Sequence, residues 1–117
     1  MHAPPIAADV QPAINYPRLL RAIAAVEGHR WSDEGGAIAW TQRAWVEDCS
    51  WPYAYAKNRE LSMKIAEQRL ERLRCYLRTM NIATVANLWR YGLTATKQGR
   101  VGNYGQRVAN LYYDRSF

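Results

Sequence analysis

The chain is poor in the residues that staple small or unusual folds. Of its 117 residues only two are Cys and two are His, and no CxxC pair occurs. Neither a zinc site nor a disulfide framework is indicated. Cys49 and Cys75 read as free thiols buried in the core rather than as a bridge. No metal and no cofactor is expected. Apolar runs are a few residues long at most, because charged or polar residues interrupt every stretch, and this excludes a transmembrane helix. There is no internal repeat, no low-complexity tract and no βαβ alternation that would support a parallel sheet.

What is present fits one small domain. Hydrophobic residues make up 49% and charged residues 22% of the chain, a globular rather than a disordered composition. Folding a chain of this length removes roughly two thirds of its unfolded surface from water, enough for a core without staples. Residues 1–15, MHAPPIAADVQPAIN, have neither a positively charged start nor a continuous apolar stretch. They do not read as a secretory signal and are expected to form a mobile arm ahead of a helical domain at 16–117. Sixteen Lys and Arg against ten Asp and Glu give a formal charge of +6, and thirteen of the sixteen are Arg. That balance favours a polyanionic partner, for which nucleic acid and bacterial cell wall both qualify.

Along the chain the pattern is a string of helices. Asn15 can cap a helix over 15–27, with Pro17 in its first turn, apolar Leu19, Leu20, Ile23 and Val26, and Gly28 as its stop. Residues 29–40, HRWSDEGGAIAW, suit an irregular loop or a short β-excursion. A short helix from Thr41 to Cys49 ends at Ser50, Trp51 and Pro52. The strongest periodicity lies between Asn58 and Met80, where Met63, Ala66, Leu70, Leu73, Leu77 and Met80 alternate spacings of three and four. Leu61, Ile65 and Tyr76 widen this arc, as expected for a central helix packed on several sides. Lys64, Glu67, Glu71, Arg74 and Arg78 fill its wet face. Arg69 and Arg72 project within or beside the apolar arc and must meet an acid, a carbonyl or a ligand, a structural salt bridge being the favoured outcome. Helices over Thr84–Tyr91, closed by Gly92, and Val101–Asp114 follow, joined by a flexible polar connector. The predicted fold class is mainly α, with one irregular or β segment after the first helix.

One carboxylate sits on an apolar stripe. Glu27 follows Ile23 by four residues and Leu20 by seven, in the last turn of its helix. Desolvation and the negative end of the helix dipole both disfavour a charged form there, and a carboxyl so placed can serve as a general acid. An ordinary glutamate whose stem reaches water or an arginine is the plainer alternative. Asp33 and Glu34 follow within one loop as candidates for a second carboxylate, since glycoside hydrolysis commonly uses two. They read equally well as simple loop residues.

The order of these features resembles the lysozyme-like superfamily, especially invertebrate-type (destabilase) lysozymes and small bacterial or phage muramidases, with lytic transglycosylases more distant. AIAAVEG at 22–28 looks like the helix that ends in the catalytic Glu, which maps to Glu27. GGAIAWTQRAWVEDC at 35–49 is similar to the glycine-led GPxQIxxxYWxDC segment. PYAYAKNRELSMKIAEQRLERLRCYL at 52–77 resembles the long helix behind the cleft, and VANLWRYG at 85–92 takes the place of an ARIHNGGP-like turn. Tyr104, Arg107 and Val108 look like a closing YWxKV element. The family's Gln falls on Trp40 when the alignment is anchored at Trp45 and Asp48, and on Gln42 after a small shift. Its turn Asn and first Gly become Arg90 and Tyr91.

The resemblance implies a muramidase that cleaves the peptidoglycan glycan strand. Glu27 would be its acid, Asp33 or Glu34 a second carboxylate, and Trp40, Gln42, Trp89, Tyr91 and Tyr104 the residues that hold sugar rings. With a carboxylate on the opposite side hydrolysis follows, and hydrolysis is the favoured route. With none, Glu27 alone could act as acid and then base in an intramolecular transglycosylation. The chain would be made in the cytoplasm and reach the cell wall or periplasm by a holin or secretion machinery, or travel on a phage particle. A non-catalytic virion or cell-wall adaptor on the same fold is the second reading. A basic helical nucleic-acid binder stands third, because acids interleave with bases on the long helix and no helix-turn-helix signature appears. Neither specific nucleic-acid recognition nor membrane insertion is expected.

Overall fold

The computed structural model describes residues 13–117, so the expected arm falls largely on residues 1–12, outside the described residues. The domain itself reaches back to Ile14, which packs against the core. Five α-helices and one 3-10 helix make up the regular structure among the described residues, and no strand is found there. We label the α-helices α1 (Tyr16–Glu27), α2 (Gln42–Asp48), α3 (Arg59–Leu77), α4 (Ile82–Lys97) and α5 (Tyr104–Tyr112), with the 3-10 helix at Tyr53–Lys57. The fold is mainly α, and the segment after α1 is irregular rather than β.

Local chemistry accounts for most helix ends. Side chains of Asn15, Thr41, Asn58 and Asn81 each accept the backbone N–H three residues on, and Gly28 closes α1 in the left-handed region at φ 73°. Two ends differ from the sequence expectation. α3 stops at Leu77 because Arg78 turns left-handed at φ 50°, leaving Met80 outside the helix. α4 does not end at Gly92. That residue, at φ 83° and ψ 175°, breaks the helical path in a conformation open essentially to glycine alone, and the helix resumes through Lys97. Half of the expected connector is therefore helical, leaving only 98–103 as the link to α5.

The core gathers Leu19, Leu20 and Ile23 of α1, Ile38 and Trp40 of the loop, and Trp45 of α2. Leu70 of α3, Val85 and Leu88 of α4, and Val108 of α5 complete it. α4 and α5 approach so closely that a Cβ on Gly105 would lie 2.1 Å from the Ala83 carbonyl oxygen, and the Gly105 N–H donates to Asn87 Oδ1 at 2.8 Å. α1 also holds the C-terminal tail: Arg18 donates to the carbonyls of Tyr112 and Asp114, and Arg21 lies 5.0 Å above the Phe117 ring.

The wet face drawn for α3 needs correction. Tyr76, assigned to the apolar arc, is 71% exposed. Glu71 and Arg74 instead turn toward α1, where Glu71 accepts from the buried Tyr16 hydroxyl and from Arg74. Arg69 and Arg72 meet one acid, as expected: Asp48, only 3% exposed, lies 2.6 Å from Arg69 Nη1 and 2.8 Å from Arg72 Nη2. The second contact is an ion pair without hydrogen-bond geometry, which leaves Asp48 Oδ1 without a hydrogen-bond partner. Both thiols are free, but Cys75 is exposed and Cys49 only half-buried, so they are not a core pair.

Removing one partner of a buried ion pair leaves uncompensated charge behind. Asp48→Ala is expected to lower the unfolding free energy by about 3 kcal/mol in urea titrations. A loss under about 1 kcal/mol would mean the cluster behaves as a surface pair. The Glu71 clasp adds a pH dependence. Arg74 first, and then the Tyr16 hydroxyl, hold the Glu71 carboxyl below the usual carboxylate range. A carboxyl depressed in the folded state stabilises fully above its unfolded pKa, and that contribution fades as pH falls through the folded value. The stability gap between the parent and Glu71→Gln should therefore narrow between about pH 5 and about pH 2, and a gap independent of pH would refute the clasp.

Candidate functional site

The end of α1, the loop before α2 and the middle of α4 form an open groove of two adjoining hollows. The smaller, of about 410 Å³, is lined by Glu27, Ala39, Thr41, Trp89, Arg90 and Tyr91. The larger, of about 590 Å³, shares all of these except Glu27 and continues past Arg43, Glu47, Arg69 and Thr94. The kink at Gly92 belongs to its wall. The shared residues make the two hollows one continuous surface.

Glu27 lies at one end of this groove, its side chain 10% exposed. Its Oε2 accepts from the Tyr104 hydroxyl at 2.9 Å, and its Oε1 lies 3.8 Å from Arg90 Nη1. Burial first, and then the Glu27 charge, push the Tyr104 phenol well above its ordinary value, so that it remains a hydrogen-bond donor. Arg90 is half exposed and stacks over two rings, 5.2 Å from the centroid of Tyr104 and 5.8 Å from that of Tyr91. The plainer alternative for Glu27 had its stem reach water or an arginine, and Arg90 stands at that position. The fold adds a donor from α5 and a cation from α4.

Of the candidate residues, the structure brings Glu27, Trp89, Tyr91 and the Tyr104 hydroxyl together. Trp89 keeps its ring on the groove wall by donating its indole N–H to the Ile38 carbonyl at 2.9 Å. Tyr91 meets Tyr104 edge-on at 6.3 Å. Trp40 and Tyr104 do not offer ring faces to a sugar: they are 2% and 3% exposed. Trp40 is held edge-on against Trp45 and Trp89, with centroids 5.1 and 4.7 Å away, and donates to the Ser62 carbonyl at 3.3 Å. Gln42 is the exposed first residue of α2 and lines neither hollow.

Asp33 and Glu34 also lie outside the lining of both hollows. Asp33 closes its own turn, accepting from the Arg30 N–H at 2.8 Å with His29 Nδ1 3.6 Å away. That N–H first, and then the charges of Arg30 and His29, hold its carboxyl below the usual range. Glu34 is exposed and faces Tyr53, whose phenol is pushed up by burial and then by the Glu34 charge. Thr41, Arg43 and Glu47 are groove residues that the sequence did not single out, and Arg90 stood out there only as a departure in the turn at 85–92. Thr41 was legible only as the start of a short helix, and nothing local joins Arg90 to Glu27.

No protein-family model, curated protein or solved structure matches this chain. Among the described residues no cluster of three metal-ligating side chains occurs, and no helix is long and apolar enough to cross a membrane.

Tyr104→Phe removes one hydroxyl and leaves the buried ring in place. The expected cost is about 1 kcal/mol, the value of a typical hydrogen bond within a protein. The cost should largely vanish in a Glu27→Ala background, which removes the acceptor. An equal cost in both backgrounds would show that the hydroxyl acts elsewhere.

Proposed function

We propose that this chain is a peptidoglycan-cleaving glycosidase with Glu27 as its acid. The observation that carries this reading is a carboxyl, 10% exposed and gripped by Tyr104, at the end of a groove whose walls carry Trp89 and Tyr91. Amphipathic rings beside a fixed carboxyl suit sugar faces next to a scissile bond. The motif order around Glu27 and the +6 charge, which attracts anionic wall polymers, support the same reading.

In the first step Glu27 gives its proton to the glycosidic oxygen, and the C–O electron pair leaves with that oxygen. Among the described residues the hollow that holds Glu27 has no second carboxylate in its lining, and Glu47 lines only the adjoining larger hollow, which favours a route using one group twice. The Glu27 carboxylate then takes the proton of a hydroxyl on the same sugar as that oxygen closes onto the anomeric carbon. Intramolecular transglycosylation is therefore preferred to hydrolysis. Tyr104 orients the carboxyl, and an anionic strand would compete with Glu27 for the Arg90 guanidinium. Such an enzyme acts at the cell wall or periplasm, or rides on a virion, and needs a delivery route.

A second reading, a non-catalytic wall or virion adaptor, is favoured by the way Tyr104 and Arg90 already satisfy Glu27. Digestion of purified peptidoglycan with product mass analysis separates the two. The parent should release anhydro-ended fragments, and Glu27→Gln should keep the fold and lose at least about a hundredfold in rate. Undiminished cleavage by Glu27→Gln removes Glu27 from the chemistry. Strand binding with no bond cleavage by the parent selects the adaptor.

A further inference from the structure

We propose that the larger hollow binds a carboxylate carried by the glycan strand and that Arg43 is the residue that recognises it; this rests on the groove being a glycan site. Among the described residues three arginines, Arg43, Arg69 and Arg90, line this hollow against one acidic residue, Glu47. Two of the three are already engaged. Arg69 is only 16% exposed and holds Asp48, and Arg90 faces Glu27. Arg43 makes no ion pair and no side-chain hydrogen bond among the described residues. It is exposed in the first turn of α2.

Glu47 lies one turn along α2 on the same hollow but forms no ion pair with Arg43. An arginine N-terminal to its acid is the poorer order for such a pair. Arg43 therefore keeps its planar fork available, and that fork matches a carboxylate through two parallel hydrogen bonds. A cleft also concentrates the field of its charges more than an open surface does. Its volume of about 590 Å³ suits a small-ligand site, and Trp89 and Tyr91 carry its wall into the Glu27 hollow. A strand whose bond lies at Glu27 thus extends toward Arg43. The carboxylate comes either from an acidic substituent of the sugar or from an attached peptide.

The test compares the full chain with Arg43→Ala, and with Arg59→Ala as an exposed control that lines neither hollow. The probes are soluble peptidoglycan strands with peptides, the same strands stripped of peptide by an amidase, and N-acetylglucosamine oligomers, which carry no carboxylate. Both equilibrium binding and cleavage are read. Arg43→Ala should weaken binding to peptide-bearing strands, to stripped strands or to both about ten- to a hundredfold, raising KM with kcat little changed, while neutral oligomers bind as they do to the parent. Because the amidase frees a carboxylate on each sugar that carried a peptide, a loss confined to stripped strands assigns the carboxylate to the sugar, a loss confined to peptide-bearing strands assigns it to the peptide, and a loss on both shows that Arg43 accepts either.

Unchanged affinity for both kinds of strand overturns the proposal. So does an equal loss on neutral oligomers, an equal loss in Arg59→Ala, or a parent that binds no strand. If Arg43→Ala melts early, Arg43→Gln takes its place in the comparison. A parent that cleaves strands with no dependence on Arg43 sinks this inference and leaves Glu27 standing. A parent that binds through Arg43 yet cleaves nothing keeps the carboxylate site and sinks the catalytic reading.

Discussion

The placement of Trp40 is the constraint on which the groove depends. Its ring is buried between the edges of Trp45 and Trp89, and its N–H reaches the Ser62 carbonyl, so four separate segments meet at one side chain. Edge-to-face aromatic pairs contribute about 1 kcal/mol each beyond the area they bury. The loop that carries Trp40 has no strand ladder to satisfy its backbone. Tight turns do part of that work, and aromatic donors do the rest: Trp89 bonds the Ile38 carbonyl and Tyr53 the Trp40 carbonyl. Ala39 and Thr41, the neighbours of Trp40, are thereby fixed as groove wall.

The chain has five Trp and eight Tyr against one Phe, and that excess has its explanation in this arrangement. A ring with one polar tip can fill a core and cap an irregular backbone at once. The Trp45 N–H does so for the segment after α2, bonding the Trp51 carbonyl at 2.7 Å. Core duty therefore claims several of the aromatic residues that composition alone would offer to a ligand. Trp89 and Tyr91 line both hollows from α4, just before Gly92 breaks its helical path, whereas Trp40 borders only the larger hollow and is 2% exposed.

Two buried acids divide the electrostatics. Asp48 sits between Arg69 and Arg72 and locks α2 to α3. Glu27 has one neutral donor, one longer contact to a half-exposed arginine, and an opening to solvent through its hollow. The first arrangement closes an acid off, whereas the second holds one at the margin of a cleft where a ligand can reach it. Arginine predominates on both sides, which also explains why a single unengaged guanidinium, Arg43, stands out along the same wall.

The helices were legible because their signals act over three or four residues: the Asn15, Thr41 and Asn58 positions, the Gly28 stop and the Leu70–Leu73–Leu77 spacing all specify structure locally. That Glu27 would close the first helix on its apolar stripe, and that Arg69 and Arg72 would need a counter-charge, followed from the same periodicity. Which groups would meet them did not. Asp48, Tyr104 and Arg90 arrive from other elements by packing, and no local pattern encodes such distant encounters. Asp33 looked like a partner for Glu27 because it is near in sequence, but a backbone N–H three residues back captured it first. The sequence by itself determined a helical domain with a carboxyl at the end of α1. Only the tertiary structure decided that this carboxyl shares a groove with Trp89, Tyr91 and Arg90, because contacts between remote segments are set by how their surfaces fit.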